Sequence, residues 1–572
     1  MPPPNPAAYK PRRKRKADTQ HGDVPQFPLA AFLWPARGTT STTVTIGLLL
    51  MAVGLFRWCL GFWPYSGMNK PPMHGDFEAQ RHWMEITTHL PVSHWYWHDL
   101  EWWGLDYPPL TAYHSWLCGK IGALIEPSWF GLYLSRRTDE QGLKVFMRAT
   151  VIVSEYLTYV PATVLAARQV ARLNGVSPSW EQRLAMVAVL MQPATLLIDH
   201  GHFQYNTVML GLTLGTVAAL LSGRYAWASA AFVGALGFKQ MALFYAPAIG
   251  AYMLGSCIIP SIHVSRFLVI ALSTLISFAV LVLPLIAGTA YDVWRSVPLP
   301  SYAKTPPLLQ GLPVSLDQNA FYYPYILQLA QMVHRVFPFA RGLFEDKVAN
   351  VWCALHSSGI HKLTRYDQTL LQRAALVLTL GSIMPACLIL LFSKRRRDVL
   401  LEGLAACSWG FFLFAFQVHE KSVLLPLLPM TSMLAYPSGM FPEIRAWIGF
   451  ANILGCWTMF PLLKRDELRI PYFVLTLLWA WLMGIPSTVT TGPHVIFRII
   501  FAVFYAAMIA WHVGEAFVRP PEGKPDIWVV GNVCIGAAGF GLCYLWCLWR
   551  CVAGIGLIGE EKKEADQAKK KQ

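Results

Sequence analysis

The chain is short of charge. Only 14% of its 572 residues are Asp, Glu, Lys or Arg, while 55% are hydrophobic. A soluble domain carries about 25% charged residues, so this deficit argues against a water-soluble enzyme or binding module. Apolar runs of spanning length recur from about residue 43 onward, the pattern of a polytopic membrane protein. Acidic residues are scarcer than basic ones, 32 against 47, which leaves a formal charge of +15. Such an excess can serve nucleic acid, but here it gathers at Lys10–Lys16, Lys394–Arg397 and Lys569–Lys571, beside hydrophobic spans. That placement reads as cytoplasmic loops and tails near anionic lipid, and no nucleic-acid partner is expected. Cys-x-x-Cys and His–Cys metal spacings are missing, and most cysteines sit inside apolar spans as packing residues. Cys118 and Cys353 fall in two loops placed on one side, and spacing alone leaves their pairing open. No cleavable leader is visible. Residues 1–42, Pro-rich and polybasic, are expected to be a disordered cytoplasmic tail ahead of a retained signal anchor.

What is present is an all-α pattern. Spans are expected near 43–63, 146–170, 183–199, 204–222, 265–289, 374–392, 400–418, 422–437, 443–462, 470–487, 495–516 and 528–550. Helices are the spanning solution for such runs, because each backbone group must be satisfied within its own segment. The stretch 225–256 is too long for one span, and Lys239-Gln240 splits it into two helices with a tight turn at the membrane surface. The total is about fourteen transmembrane helices within 43–557, with a second charged tail at 558–572. An even count puts both termini on one side, and the basic tails make that side the cytoplasm. Two long loops, 64–145 and 290–373, then emerge on the opposite face. The first is expected to hold interfacial helices. Residues 76–89 show helical spacing, with Glu78–His82 and Arg81–Glu85 at i,i+4, and Pro108-Pro109 opens a second helix, Leu110 to Ile125. The tryptophans would lie at headgroup level.

Chemistry concentrates on that face. Asp76 in Gly75-Asp76-Phe77-Glu78-Ala79-Gln80-Arg81-His82-Trp83 is either a carboxylate capping the helix that follows or a general base at the bilayer edge. The run His94 to Trp103, leading into Asp106, Tyr107 and Pro109, is an aromatic belt or a carbohydrate platform, and its acids favour sugars. Asp199-His200-Gly201-His202-Phe203-Gln204-Tyr205-Asn206 reads as a polar loop between spans, lacking a clear third zinc ligand. Lys239-Gln240 and His419-Glu420-Lys421 each end a span there. Snorkelling accounts for a terminal lysine, but together with the histidines these form a cationic ring able to hold a phosphate without a metal.

Several of these stretches resemble one family: Pro72–Thr87, Trp103–Ser115, Ile198–Asn206, Lys239–Pro247, Arg341–Cys353 and Val418–Pro429. It is the dolichyl-phosphate-glucose-dependent glucosyltransferases of lipid-linked oligosaccharide assembly, in the GT-C superfamily. The first motif is most similar to the branch adding the first glucose; the sibling branch, which adds the second, differs around Asp76 and at Gln80. The resemblance implies a dolichyl phosphate β-glucose donor and a nine-mannose dolichyl-pyrophosphate acceptor. It also implies an α-1,3 linkage formed with inversion and Asp76 as catalytic base; no metal cofactor is expected, since the cationic side chains suffice. His419, Lys421 and Lys239 would meet the donor phosphate. His200, His202, Gln204, Asp106, Trp103, Tyr107 and Arg81 would line the substrate site. The final Lys569-Lys570-Lys571-Gln572 is similar to a dilysine retrieval signal, suiting a multi-pass endoplasmic reticulum resident with a luminal site. A secondary transporter is the rival class, disfavoured by the two large loops and the lack of a visible internal repeat.

Overall fold

A computed structural model describes residues 27–36, 41–173, 180–311, 316–337, 347–359, 362–436, 439–491 and 494–556. Among these residues all regular structure is helical. Eight helices are long and apolar enough to cross a membrane, and four shorter apolar helices join them: Asn206–Leu221, Tyr225–Phe238, Leu400–Phe414 and Arg469–Leu482. The apolar runs are there, but several are broken. The run expected at 146–170 divides at Thr158 into Gln141–Leu157 and Tyr159–Leu173. The stretch 225–256 splits at Lys239, as its charge requires, into Tyr225–Phe238, a 3₁₀ turn Gln240–Tyr245, and Ala246–Ile258. The run at 422–437 shrinks to Leu424–Ser432 between 3₁₀ turns.

Part of the stretch read as a disordered tail is ordered. Pro28–Leu33 is a helix that buries Leu29, Ala30 and Leu33. The Arg445 guanidinium lies 4.2 Å over the Phe27 ring beside it. The apolar run Phe27–Leu33 gives this segment enough surface to bury, which the polybasic residues before it lack. Residues 1–26 and 37–40 of that tail, the dilysine and the start of the Arg341–Cys353 motif lie outside the described residues.

One large apolar core runs through the bundle. A second, smaller core lies in the first long loop: Trp83, Ile86, Trp95, Tyr96, Leu105 and Ala112 pack with Leu285 and Val336. The loop is therefore a folded cap built on two helices, Gly75–His89 and Pro109–Ile125, which pack on each other. Pro109 opens the second helix because its missing N–H costs nothing in a first turn. The tryptophans depart from the expected belt. Trp83, Trp95 and Trp97 are buried inside the cap, since each indole hides about 150–250 Å² of ring surface there. Their N–H groups are satisfied by Trp103 O, Leu90 O and Gln328 Oε1. Trp83→Ala is expected to cost about 3–5 kcal/mol. A melting curve of the purified chain checks this, and an unshifted midpoint would show that the cap does not contribute to global stability.

The polar pairings on Gly75–His89 also differ from the spacing estimate. Arg81, fully buried, donates to Glu78 Oε1 at 2.6 Å and to Glu85 Oε2 at 2.8 Å, so Glu78 meets Arg81 rather than His82. A guanidinium presents several donors in a planar fork and can hold both carboxylates at once. Cys118 and Cys353 are both buried, and no disulfide joins them.

Candidate active site

The site begins at a pinch in the backbone. Gly67 and Gly75 both hold positive φ, +77° and +65°, and a Cβ on Gly75 would lie 2.7 Å from Ser66 O. Only glycine allows this close pass between the end of the first span and the start of the cap helix. The helix Gly75–His89 carries no side-chain cap, and its N-cap position is His74. Asp76 therefore does not cap its own helix. Its carboxylate turns to the bundle, where His202 Nε2 lies 2.9 Å from Oδ2, Gln204 Nε2 donates at 2.6 Å, and Lys421 Nζ donates to the same oxygen. The capping reading of Asp76 fails on this geometry.

His202 comes from a segment read as a loop. Residues Leu196–Phe203 instead form a fully buried turn of π-helix, the wide winding that often marks functional sites. The turn is clamped by Arg148, which donates to Gly201 O at 2.8 Å and to His200 O. Phe203 closes it at φ +88°, and Ser66 N donates to His202 O at 2.9 Å. The two histidines of the motif part company. His202 faces Asp76 with one ring nitrogen and Asp466 with the other. His200 points into the bundle, with Nε2 2.5 Å from Glu155 Oε2, beside the buried Arg57–Glu155 ion pair at 2.6 Å. The structure thus brings His202 and Gln204 to the carboxylate but not His200. Arg81 is likewise occupied inside the cap.

Lys239 forms a second tier. Its ammonium donates to Asn206 Oδ1 at 2.6 Å and reaches Gln204 Oε1 at 3.4 Å, so Gln204 bridges it to Asp76. It also stands 4.9 Å above the Tyr107 ring. Asn206 is held in turn by Asp199, whose other oxygen accepts from Thr207 N at 2.6 Å. Asp106 adds attraction toward Lys239 from the cap side. Trp103 donates from Nε1 to Met73 O at 2.6 Å, tying the aromatic stretch to the chain that leads into Asp76. Lys421 lies on the 3₁₀ turn Glu420–Val423, and His419, half-buried, occupies that turn's N-cap.

Burial opposes the charge on Asp76, but the Lys421 ammonium and the His202 bond outweigh it and hold the carboxyl well below its usual range. Burial takes the Lys239 ammonium down to about 7, and the nearby Lys421 charge pushes the same way. Lys239 is therefore charged below about pH 7 and neutral above it, while an unfolded chain keeps the proton to about 10.4. Stability gained from this residue rises with pH between those values.

Sequence reasoning missed three residues here. Asp466 sits in the basic Lys464–Arg469 stretch and is 3% exposed, facing His202. Arg148 and Ser66 set the backbone around it. A carboxylate beside three cations in an apolar chain was the available signal for Asp466.

A partly exposed carboxylate among a lysine, a histidine and an amide, set between a helical bundle and a folded cap, defines a membrane-embedded group-transfer enzyme. Such a cluster brings a carboxylate, cationic charge and an amide donor together in a chain with several spanning helices. The sequence profile of the ALG6, ALG8 glycosyltransferase family matches residues 53–298 and 311–549. The chain belongs to that family. It is 44% identical, over 91% of its length and 95% of the relative, to a probable dolichyl pyrophosphate Man9GlcNAc2 alpha-1,3-glucosyltransferase of Schizosaccharomyces pombe. It is 39% identical to the Saccharomyces cerevisiae protein of that name, over 91% of this chain and 94% of the relative. To the Gallus gallus one it is 35% identical, over 87% and 94%.

Proposed function

We propose that the chain transfers the first glucose onto the nine-mannose oligosaccharide carried by dolichyl pyrophosphate, with dolichyl phosphate β-glucose as donor. The α-1,3 linkage forms with inversion at the luminal face of the endoplasmic reticulum membrane, and both termini lie in the cytoplasm. The observation that carries this reading is the Asp76 carboxylate bonded to Lys421, His202 and Gln204. All three bonds meet Oδ2, so Oδ1 is the oxygen for the acceptor hydroxyl, on a side chain 24% exposed.

Inversion is a single displacement with oxocarbenium character, needing one base on the face opposite the leaving group. Asp76 takes the hydroxyl proton as the new glycosidic bond forms. The bond from the anomeric carbon to the phosphate oxygen breaks, and dolichyl phosphate leaves with that electron pair. A phosphate needs no proton to leave, but it needs positive charge where its own grows. Lys421 is the nearest such group, with His419 on the same turn and Lys239 behind Gln204. A donor phosphate draws Lys421 away from Asp76, and the carboxyl then rises toward a pKa useful in a base. Dolichyl phosphate glucose thus arms the base that deprotonates its attacker. These cationic side chains supply the neutralisation a divalent metal would otherwise give, so no metal cofactor is required.

The test is transfer from labelled dolichyl phosphate glucose to acceptors carrying no glucose or one. Product from the unglucosylated acceptor alone, unaffected by chelator, is expected. Product only from the singly glucosylated acceptor would assign the second-glucose reaction instead, and chelator-sensitive transfer restored by magnesium would overturn metal independence. In the same assay, kcat/KM should fall as pH rises through about 7, where Lys239 loses its charge. Lys239→Arg, which stays charged, should move that limb to higher pH. A limb that stays in place would remove Lys239 from phosphate binding.

A further inference from the structure

A cavity of about 680 Å³ lies on the cap and not among the residues bonded to Asp76. Its walls come from the aromatic stretch of the first long loop, from Tyr133 and Arg136, and from the second long loop at Tyr302–Pro307 and Gln331–Arg335. Both long loops thus meet there. The chemistry is mixed: the rings of Tyr133 and Tyr302 are 56% and 48% exposed, beside the acids Asp99 and Glu101 and the cation Arg136.

Polar atoms in this wall lack partners. His98 is 4% exposed, yet among the described residues its Nε2 meets no hydrogen-bonding group, and neither does Nε of Arg136. Its other nitrogen, Nδ1, lies 3.5 Å from the Tyr302 hydroxyl. A buried donor or acceptor left unmade gives up its bond to water for nothing, so such groups ask for a ligand. The backbone adds to this. Asp99 and Tyr133, both facing the cavity, hold positive φ at +45° and +64°, conformations that non-glycine residues keep only where the surroundings impose them. Asp99 is fixed by its ion pair with Arg136, and the Arg136 guanidinium stacks 5.3 Å from the Tyr133 ring.

We infer that this cap cavity is a binding site for the mannose-rich body of the acceptor, holding sugars other than the one that receives glucose. The inference rests on the transfer reaction proposed above. Aromatic faces pack on the C–H faces of hexoses, while carboxylates, guanidinium and imidazole meet their hydroxyl pairs. A nine-mannose glycan cannot fit around one carboxylate, so most of it must lie beyond the reacting hydroxyl. The cap helix sets the offset: His82 Nε2 stands 4.0 Å from Asp99 Oδ2, six residues beyond Asp76. At 1.5 Å per residue that is about 9 Å along the helix, on the order of two sugar units. The site would let the enzyme recognise a finished mannose assembly before committing glucose, a specificity that the few groups bonded to Asp76 cannot supply by themselves.

The test uses the purified full-length protein and the double variant Tyr133→Ala/Tyr302→Ala, which removes two exposed rings and leaves the Tyr133 backbone bond to Glu85 in place. KM for the nine-mannose lipid should rise ~10-fold or more, with kcat and the donor KM unchanged. A shortened acceptor, cut to the three mannoses nearest the accepting hydroxyl, should be used equally by both proteins. Free Man9GlcNAc2 glycan should show saturation-transfer NMR contacts with the wild type that the variant loses. An unchanged KM for the full acceptor, or an equal rise for the shortened one, would overturn the site. Absence of glucose transfer by the wild type would refute the reaction instead, and free-glycan binding would still judge the cavity.

Discussion

Asp76→Asn should lower glucose transfer by about 10²–10⁴-fold, the usual worth of a positioned general base. The substitution keeps size and shape, so the pinch at Gly67 and Gly75 and the helix behind it should survive. What changes is chemistry. An amide cannot take the hydroxyl proton at neutral pH, and it removes the negative charge that the Lys421 ammonium and His202 Nε2 both meet, while His202 keeps Asp466. The measurement is single-turnover transfer by purified enzyme, with a melting curve to show that the variant is folded. Transfer within a few-fold of wild type, in a folded protein, would remove Asp76 from the reaction. The donor KM separates two roles: a base lost from the transition state lowers kcat and leaves substrate binding nearly intact.

Lys421→Ala should be almost as damaging, about 10²–10³-fold, because it removes charge from where the leaving phosphate develops its own. It differs from the first variant in its pH behaviour. In the wild type, Lys421 is the largest of the influences that lower the Asp76 carboxyl. Such a depressed carboxylate contributes stability that is full above its unfolded pKa and is lost as pH falls through the folded one. Without Lys421 that folded pKa moves up, so the acid limb of stability should begin at a higher pH than in the wild type. Lys421→Arg should restore part of the rate, since the charge persists but the compact ammonium geometry does not. Full activity in Lys421→Ala with an unmoved acid limb would show that the ion pair to Asp76 has no part in catalysis.

The residues of the proposed site were legible in the sequence to different degrees. Asp76 stood out because a carboxylate at the edge of a hydrophobic span is costly unless it is used. Lys239 stood out because it interrupts an apolar run too long for one helix. The family membership announced by the ordered motifs is borne out by the profile match and by the relatives. The pair His200 and His202 was harder. In a helix, residues two apart point to nearly opposite sides, so the two could not both face one carboxylate. Reading the segment as a loop concealed that, and its complete burial in a π turn reveals it. Asp466 joins His202 from 264 positions away, a contact that no local pattern encodes. The tryptophans misled for a related reason. Composition suits either a membrane belt or a protein core, and only packing against Leu285 and Val336 assigns Trp83 and Trp95 to the core.

The sequence by itself determined that this chain is a helical membrane protein, where its apolar runs break, and which acid sits at the edge of the first span. Those properties follow from hydrophobicity and from the backbone's need for hydrogen bonds in lipid, both local along the chain. The tertiary structure alone decided that Asp76 shares its oxygen with Lys421, that His202 and not His200 meets it, and that two distant loops close around a cavity. Each of these depends on groups from 126 to 345 positions apart arriving within hydrogen-bonding reach of one another, and direction in space is the one thing a linear order of residues does not carry.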